Sequence, residues 1–275
     1  MGAKRRARAQ KTPASNNVIS FSKQQPKQIN ILPRNINQET YMLKLLDPKK
    51  DIVFGVGPAG TGKTLLAVQV AIKLFKEKKI DKIVVTRPAV SADEDLGFLP
   101  GTMEEKMAPW TRPIFDVFKE YFSAKELEGM MYDGVIEISP LAYMRGRTFK
   151  RSIIVADEMQ NATPNQMKML LTRLGENTRL IITGDLDQPD RHDELNGLDD
   201  FLDKFKGKRS ASITSVEFGN DDIQREEVVK EVLEIYSGDV PASYHINNNN
   251  NDNDNDNDND NDNDNDNDNE PYTSN

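Results

Sequence analysis

Short apolar runs alternate along most of the chain with longer segments whose apolar residues recur at helical spacing. Continuous apolar runs of four to eight residues are typical of buried parallel strands. They predict five strands, at residues 51–56, 82–86, 135–138, 152–156 and 179–183. The amphipathic segments predict helices at residues 40–46, 63–78, 114–122, 124–131, 164–174, 195–205 and 223–236, with a loop or lid interrupted by Pro and Gly at 88–112.

The alternation of strands and helices predicts an α/β fold, with a central, mainly parallel sheet flanked by helices. Right-handed crossovers place the carboxyl ends of the strands along one edge of such a sheet, where ligands bind. The polar motifs described below all follow directly after a predicted strand. We therefore expect their side chains to meet at that edge.

The two ends of the chain differ from its middle in composition. Residues 1–30 carry seven Lys/Arg and no acid, and an Asn-Asp repeat follows Asn247. We predict a disordered basic arm at 1–30, a single folded domain at 31–240 and a disordered acidic tail at 241–275. The arm either binds nucleic acid phosphates or is a solvated leader. The net charge of −9 comes mainly from the tail.

Several classes of protein are disfavoured by composition. The chain has no cysteine, which excludes disulfides and thiolate metal sites, and its two histidines, His192 and His245, are too far apart to suggest zinc. No apolar run approaches the roughly 20 residues of a membrane span. The first ten residues have no apolar segment behind their charges, so they do not resemble a secretory signal. We expect a cytoplasmic protein.

A phosphate-binding motif lies between the first predicted strand and the helix that follows. It consists of Gly57, Pro58, Ala59, Gly60, Thr61, Gly62, Lys63 and Thr64, which satisfy the P-loop pattern. Small residues let backbone N–H groups surround phosphates, and the helix N-terminus adds positive potential. Lys63 is expected to reach the β- and γ-phosphates and Thr64 to hold Mg²⁺. The alternative is an ordinary glycine-rich turn.

Two adjacent acids, Asp157 and Glu158, end the apolar strand at 152–156. Asp157 is the candidate that completes the Mg²⁺ site together with Thr64. Neighbouring side chains at a strand end point to different sides, so Glu158 can meet the attacking water as general base. This pairing favours nucleotide hydrolysis, although an acidic strand end can also arise by chance.

Two glutamines complete the candidate site. Gln188 belongs to TGDLDQ after the strand at 179–183, a segment similar to the G-D-x-x-Q element of superfamily 1 helicases, and it could sense the γ-phosphate. Gln38 precedes the P-loop by about twenty residues, where helicase-like ATPases place a glutamine that binds adenine. Because no guanine-binding motif occurs in the chain, we expect ATP. Each glutamine could instead be an ordinary surface residue.

Six phrases together resemble the PhoH family of P-loop ATPases. They are GVGPAGTGKT, VVTRPAV, GFLPGTMEEKMAPWTRPIFD, PLAYMRGRTF, ADEMQNATPNQMKMLLTRLG and TGDLDQ, and they occur in order within about residues 36–237. The resemblance implies an ATPase related to the first RecA-like domain of superfamily 1 helicases, with ATP and Mg²⁺ as ligands. It also implies ring-like homo-oligomers, phosphate-starvation-inducible or phage-encoded relatives, and RNA unwinding for some members.

Four arginines are candidates for contacts with nucleic acid or with ATP. The resemblance suggests Arg87 near a bound strand, and Arg145 and Arg147 on the loop before the acid-bearing strand. It also suggests a catalytic role for Arg225, although this chain has Glu226 where family members have His. A single RecA-like domain lacks an arginine from a second one, so Arg145, Arg147 or Arg225 is expected to act on a neighbouring subunit. Each could instead form a surface ion pair.

Three functional hypotheses follow. The first is an ATPase that couples hydrolysis to remodelling of RNA or single-stranded DNA. The second is an ATP-dependent regulatory switch without unwinding. A small-molecule kinase is the third, which the Asp157–Glu158 pair and TGDLDQ disfavour.

Overall fold

The computed structural model describes residues 29–88, 103–188 and 195–226, together with Val228, Val229, Val232 and Ile235; the side chains of residues 103–109 are not described. The predicted tail lies outside these residues, as does the predicted arm except for its last two positions. Ile29 at the end of the arm is 7% exposed and belongs to the core. The core therefore includes Ile29, two residues before the predicted start of the folded domain at residue 31.

Six parallel strands form one sheet in the order β3-β2-β4-β5-β1-β6. They are β1 (Ile52–Val56), β2 (Lys82–Arg87), β3 (Ile136–Pro140), β4 (Ser152–Ala156), β5 (Arg179–Gly184) and β6 (Ile213–Glu217). This arrangement confirms the predicted α/β fold with a parallel sheet. It also brings the carboxyl ends of β1, β4 and β5 next to one another, because β5 lies between the other two.

The helices cover both faces of the sheet. They are α1 (Ile36–Leu46), α2 (Lys63–Lys76), α3 (Met103–Tyr121), α4 (Ala124–Tyr132), α5 (Pro164–Leu171) and α6 (Gly197–Phe205). Short 3-10 turns lie at Leu141–Met144, Met159–Asn161 and Asn220–Asp222. None of the helices in the described ranges has the length and apolar content needed to cross a bilayer.

The apolar strands are buried on both faces, which explains their continuous apolar runs. Val53, Val85 and Val155 point into a core shared with α1 to α4. Phe54 and Ile154 point to the opposite face and pack in a second core with α5 and α6. The strands β1, β2, β4 and β5 therefore contribute alternate side chains to two separate cores.

Two predictions were wrong. The strand β6 was missed because ITSVE has only Val216 buried, as expected for the edge of a sheet. The loop predicted at 88–112 is helical from Met103 onwards, and α3 continues through Pro113. Buried Ile114 and Phe118 anchor this helix to the core, and that packing outweighs the usual cost of an interior proline. Residues 89–102 of the predicted loop lie outside the described residues.

Smaller differences concern the ends of helices. The structure ends α5 at Leu171, before the predicted residue 174, because Leu174 pairs with Phe149 in an isolated parallel bridge. Residues 223–226 of the predicted last helix are not helical. That helix begins in a second unit, which starts at Glu226. Its described residues are helical and exposed, and they are Val228, Val229, Val232 and Ile235.

The middle of α1 is held against the strand that leads into the P-loop. The Tyr41 ring lies across Gly55 of β1 so closely that a Cβ at Gly55 would be 2.7 Å from the ring. Tyr41 also packs edge-on against Phe218, with ring centroids 5.5 Å apart. Gly55 thus permits α1, β1 and the end of β6 to pack together just before the phosphate-binding motif.

Candidate nucleotide-hydrolysis site

The P-loop connects β1 to α2 through three glycines with positive φ. Gly57, Gly60 and Gly62 have φ of 138°, 84° and 81°, values that other residues rarely adopt. A Cβ at Gly57 would also lie 2.2 Å from the carbonyl oxygen of Phe218. Glycine is therefore required at residue 57 both for the backbone conformation and for the close approach of the chain after β6.

The Lys63 ammonium is folded back onto the loop. Its Nζ donates to the carbonyl oxygens of Gly57 and Pro58 at 2.7 and 2.6 Å and to Thr61 Oγ1 at 3.1 Å. Burial lowers the pKa of Lys63, and the nearby carboxylates, with Asp185 the strongest, oppose that shift. The loop carbonyls thus hold a cation where nucleotide phosphates are expected to bind.

Asp157 is the centre of a hydrogen-bonded group at the ends of three elements. Its Oδ1 accepts from Thr64 Oγ1 at 2.7 Å and from Thr183 Oγ1 at 2.5 Å. Thr64 lies in the first turn of α2, Asp157 follows β4 and Thr183 lies in β5, so the sheet order brings them together. A hydroxyl and a carboxylate are the oxygen ligands that Mg²⁺ prefers, with phosphate and water completing its shell. The residues present therefore fit Mg²⁺.

Glu158 is held in an unusual backbone conformation. Its φ of 54° and ψ of 40° are left-handed, which costs about 1 kcal/mol or more for a residue other than glycine. Gln160 donates from Nε2 to Glu158 Oε2 at 2.5 Å, and its Oε1 accepts from the Asp185 backbone N–H at 3.1 Å. Buried Gln160 thus fixes the direction of the Glu158 carboxylate relative to the TGDLDQ turn.

These groups surround one cleft of about 460 Å³. The predicted residues that line it are Ala59, Gly60, Gly62, Lys63, Thr64, Arg87, Asp157, Glu158 and Gln188. Sequence reasoning missed Gln160 and Thr183 and gave no role to Asp185, whose carboxylate accepts from the Ala59 N–H at 3.1 Å. All three lie within the phrases ADEMQ and TGDLDQ, but their contacts depend on the neighbouring strand.

Gln38 lies behind the P-loop and does not line the cleft. It is 5% exposed, its Nε2 donates to the Thr61 carbonyl oxygen at 3.0 Å, and its Oε1 accepts from the Arg34 N–H at 2.8 Å. The side chain therefore braces the loop from the side of α1. Binding of adenine by Gln38 stays a prediction, and it would require Gln38 to exchange these hydrogen bonds.

Three of the four candidate arginines do not line the cleft. Arg225 lies at the P-loop of its own chain, where a Cβ at Gly60 would be 3.1 Å from its Nε. Arg147 forms a two-point ion pair with Glu137 and lies 4.5 Å over the Phe149 ring. Arg145 is exposed on the outside of its loop. Of the candidate arginines, only Arg87 lines the cleft itself.

The fold and the site together are those of a P-loop protein, with a parallel sheet and a glycine-rich loop between β1 and α2. A comparison with protein families adds the family: residues 30–237 match the model described as "PhoH-like protein". The chain belongs to the PhoH-like family.

Curated relatives agree with this assignment. The PhoH-like protein of Bacillus subtilis is 44% identical over 204 residues, which are 74% of this chain and 63% of that protein. Protein PhoH of Escherichia coli K12 is 43% identical over 210 residues, which are 75% of this chain and 58% of that protein. The chain thus spans about three-fifths of the length of these relatives.

Solved structures with a similar fold have a lower sequence identity to this chain. The Pif1 helicase of Candida albicans is 14% identical with a TM-score of 0.36, and the match covers 77% of this chain and 46% of that chain. The SWI2/SNF2 ATPase core of Sulfolobus solfataricus in complex with double-stranded DNA is 18% identical with a TM-score of 0.38, covering 72% and 47%.

Proposed function

We propose that this chain binds ATP with Mg²⁺ and hydrolyses the γ-phosphate with water. The observation that carries the proposal is the position of Asp157. It is hydrogen-bonded to Thr64 of the P-loop and to Thr183 of β5, and the next residue, Glu158, faces the same cleft. A phosphate-binding loop, a pair of Mg²⁺ ligands and a second carboxylate are the parts that such hydrolysis requires.

Each part has a distinct task in this proposal. The N–H groups of the P-loop and Lys63 bind the phosphates, while Thr64 and Asp157 hold Mg²⁺, which neutralises phosphate charge when bound. Glu158 accepts the proton of the attacking water, and Gln188 contacts that water or the γ-phosphate. Arg87, at the end of β2, faces the same cleft and can respond to the phosphate.

We further propose that hydrolysis is coupled to RNA or single-stranded DNA in a homo-oligomer. The seven basic residues of the first thirty support contacts with phosphate, and the family resemblance supports an oligomer. In such an oligomer a neighbouring arginine completes the site. Arg147 is paired with Glu137, Arg225 lies at its own P-loop and Arg145 is exposed, and these three are the candidates for the neighbouring arginine.

Phosphate release from ATP tests the proposal directly. Lys63→Ala removes the ammonium that the loop holds, so we expect release to fall at least a hundredfold. Lys125→Ala makes the same change at an exposed position of α4 and should keep the wild-type rate. Normal turnover by Lys63→Ala would contradict the site.

The same assay with added RNA or single-stranded DNA separates the two functional hypotheses. A rate that rises with either polymer supports coupling to nucleic acid. Active hydrolysis that no polymer changes would contradict coupling and favour the regulatory switch.

A further inference from the structure

The 3-10 turn Leu141–Met144 presents an aromatic ring and a cation to solvent. Leu141 and Met144 are fully buried and anchor the turn to the core. Tyr143 is 60% exposed, and Arg145 directly after the turn is also exposed. Leu141 and Met144 therefore attach the turn to the core, while Tyr143 and Arg145 face solvent.

A hollow of about 520 Å³ separates this turn from the start of α5. It is lined by Ala142, Arg145, Asn165, Gln166 and Met169. The Gln166 side-chain oxygen accepts from the Thr163 N–H at 2.9 Å in a capping box, which leaves its Nε2 to donate. Amide groups, a thioether and a guanidinium around one hollow suit a flat ligand with polar edges and a nearby negative charge.

The segment that contains the turn is positively charged. Residues 138–156 include Arg145, Arg147, Lys150 and Arg151 and no acid. Arg147 is paired with Glu137 and Arg151 with Asp81. Among the residues whose side chains the structure describes, no carboxylate forms an ion pair with Arg145 or Lys150. The partner of this surface is therefore expected to be anionic.

We propose that this surface binds single-stranded nucleic acid, with Tyr143 stacking on a base and Arg145 contacting a phosphate. An exposed aromatic ring beside a cation is the arrangement that binds single strands without sequence preference, because every base has a π-face and every nucleotide a phosphate. An acidic peptide would pair with Arg145 but would not account for the exposed ring of Tyr143. The proposal deepens the coupling proposed above and rests on it.

The position of the surface gives bound nucleic acid a route to the proposed ATP site. The turn leads into β4, whose end carries Asp157, and α5 follows Glu158 through the 3-10 turn Met159–Asn161. A nucleic acid strand bound to both the turn and α5 would contact the segments that precede Asp157 and follow Glu158 in the chain. Since coupling between sites is reciprocal, an ATP analogue should change the affinity for nucleic acid as nucleic acid changes ATP binding.

The experiment measures binding of fluorescent 20-residue oligo(U) RNA and oligo(dT) DNA to the full chain by anisotropy, across a series of salt concentrations. Tyr143→Ala should weaken binding at least tenfold, and Tyr143→Phe should stay within about twofold, because stacking needs the ring and not the hydroxyl. Arg145→Ala should lower the slope of log affinity against log salt by about 0.7, the value of one phosphate contact on a single strand, while Arg145→Lys keeps the slope.

Two control variants remove the same side chains elsewhere. Tyr132 on α4 is 91% exposed, and Arg209 lies exposed before β6. Tyr132→Ala and Arg209→Ala should bind the oligonucleotides and hydrolyse ATP as the wild type does. The RNA and DNA arms show whether the ribose 2′-hydroxyl contributes, since only RNA carries it.

The outcomes separate this surface from the function on which it rests. If the wild type binds and both Tyr143→Ala and Arg145→Ala bind equally well, the assignment of binding to this surface is overturned, while coupling to nucleic acid is not. Loss of hydrolysis in Arg145→Ala with unchanged nucleic acid affinity would also overturn it, and would place Arg145 at a neighbour's ATP site. Absence of any wild-type binding would overturn the coupling itself.

Discussion

Gln160 is the residue that joins the candidate base to the rest of the cleft. Its amide connects the Glu158 carboxylate to the backbone of Asp185, and Nε2 also lies 3.4 Å from the Gln188 carbonyl oxygen. Glu158 has a left-handed backbone, and the hydrogen bond from Gln160 fixes the direction of its carboxylate. Gln160 acts through Glu158 and is a positioning residue.

Gln160→Ala should therefore slow ATP hydrolysis about 10- to 100-fold and change KM for ATP by only a few fold. A carboxylate misplaced by about 1 Å costs a rate of this size, whereas the phosphate-binding groups remain in place. Gln69→Ala is the control, because it also removes an amide that hydrogen-bonds a side chain, Tyr121. Equal losses in kcat and ATP affinity for Gln160→Ala would indicate a general structural role instead.

The sequence predicted some residues of the site and not others. Lys63, Thr64, Asp157 and Glu158 follow from local motifs at the ends of strands, and each lines the cleft. Gln160 could not be assigned because its partner, the Asp185 N–H, comes from a different strand end. The brace formed by Gln38 was equally hidden, since the pattern around it shows a helix start and not the Thr61 carbonyl behind it.

At the scale of elements, an ion-pair cluster ties the loop after β3 to the sheet edge. Glu137 of β3 bonds Arg147, and Lys82 of β2 lies 2.5 Å from the same carboxylate. The Arg147 hydrogen bonds lower the pKa of Glu137 to about 2, with Lys82 adding to the shift and burial opposing it. This cluster supports the far end of the loop that carries Tyr143 and Arg145.

Glu137→Gln should destabilise the folded chain by about 1–2 kcal/mol at neutral pH, because two cations lose a partly buried partner. A lowered pKa contributes stability that is present above the ordinary carboxylate range and is lost as pH falls towards about 2. The difference in melting temperature between wild type and Glu137→Gln should therefore shrink between about pH 5 and pH 2.

The exposed Asp81–Arg151 pair provides the control for this measurement. Asp81→Asn should change the melting temperature little at any of these pH values, since exposed ion pairs contribute little to stability. A Glu137→Gln difference that does not depend on pH would show that packing, and not charge, accounts for the effect.

The elements show why some of the fold could be predicted and some could not. Strands buried on both faces, such as β4, give continuous apolar runs that are distinctive along the chain. The edge strand β6 buries only Val216 and looks like polar loop. The start of α3 was hidden by its prolines, since packing of Ile114 and Phe118 against the core is not visible in a local pattern.

At the scale of the whole molecule, the order of the strands assembles the proposed ATP site. β5 lies between the P-loop strand β1 and the acid-bearing strand β4, so Thr183 bonds Asp157 while Asp185 bonds the loop at Ala59. The turn with Tyr143 and Arg145 enters β4 from the other end. The strand β4 thus connects the proposed nucleic acid surface to the proposed hydrolysis site.

The most direct test of this account is the fate of ATP bound to Glu158→Gln, followed with γ-labelled ATP in a single turnover. Removing the base should leave ATP binding close to wild type and reduce phosphate release at least a hundredfold, so that unhydrolysed ATP stays on the protein. Glu128→Gln makes the same change at an exposed position of α4 and should behave as wild type. Phosphate release by Glu158→Gln at the wild-type rate would contradict the account.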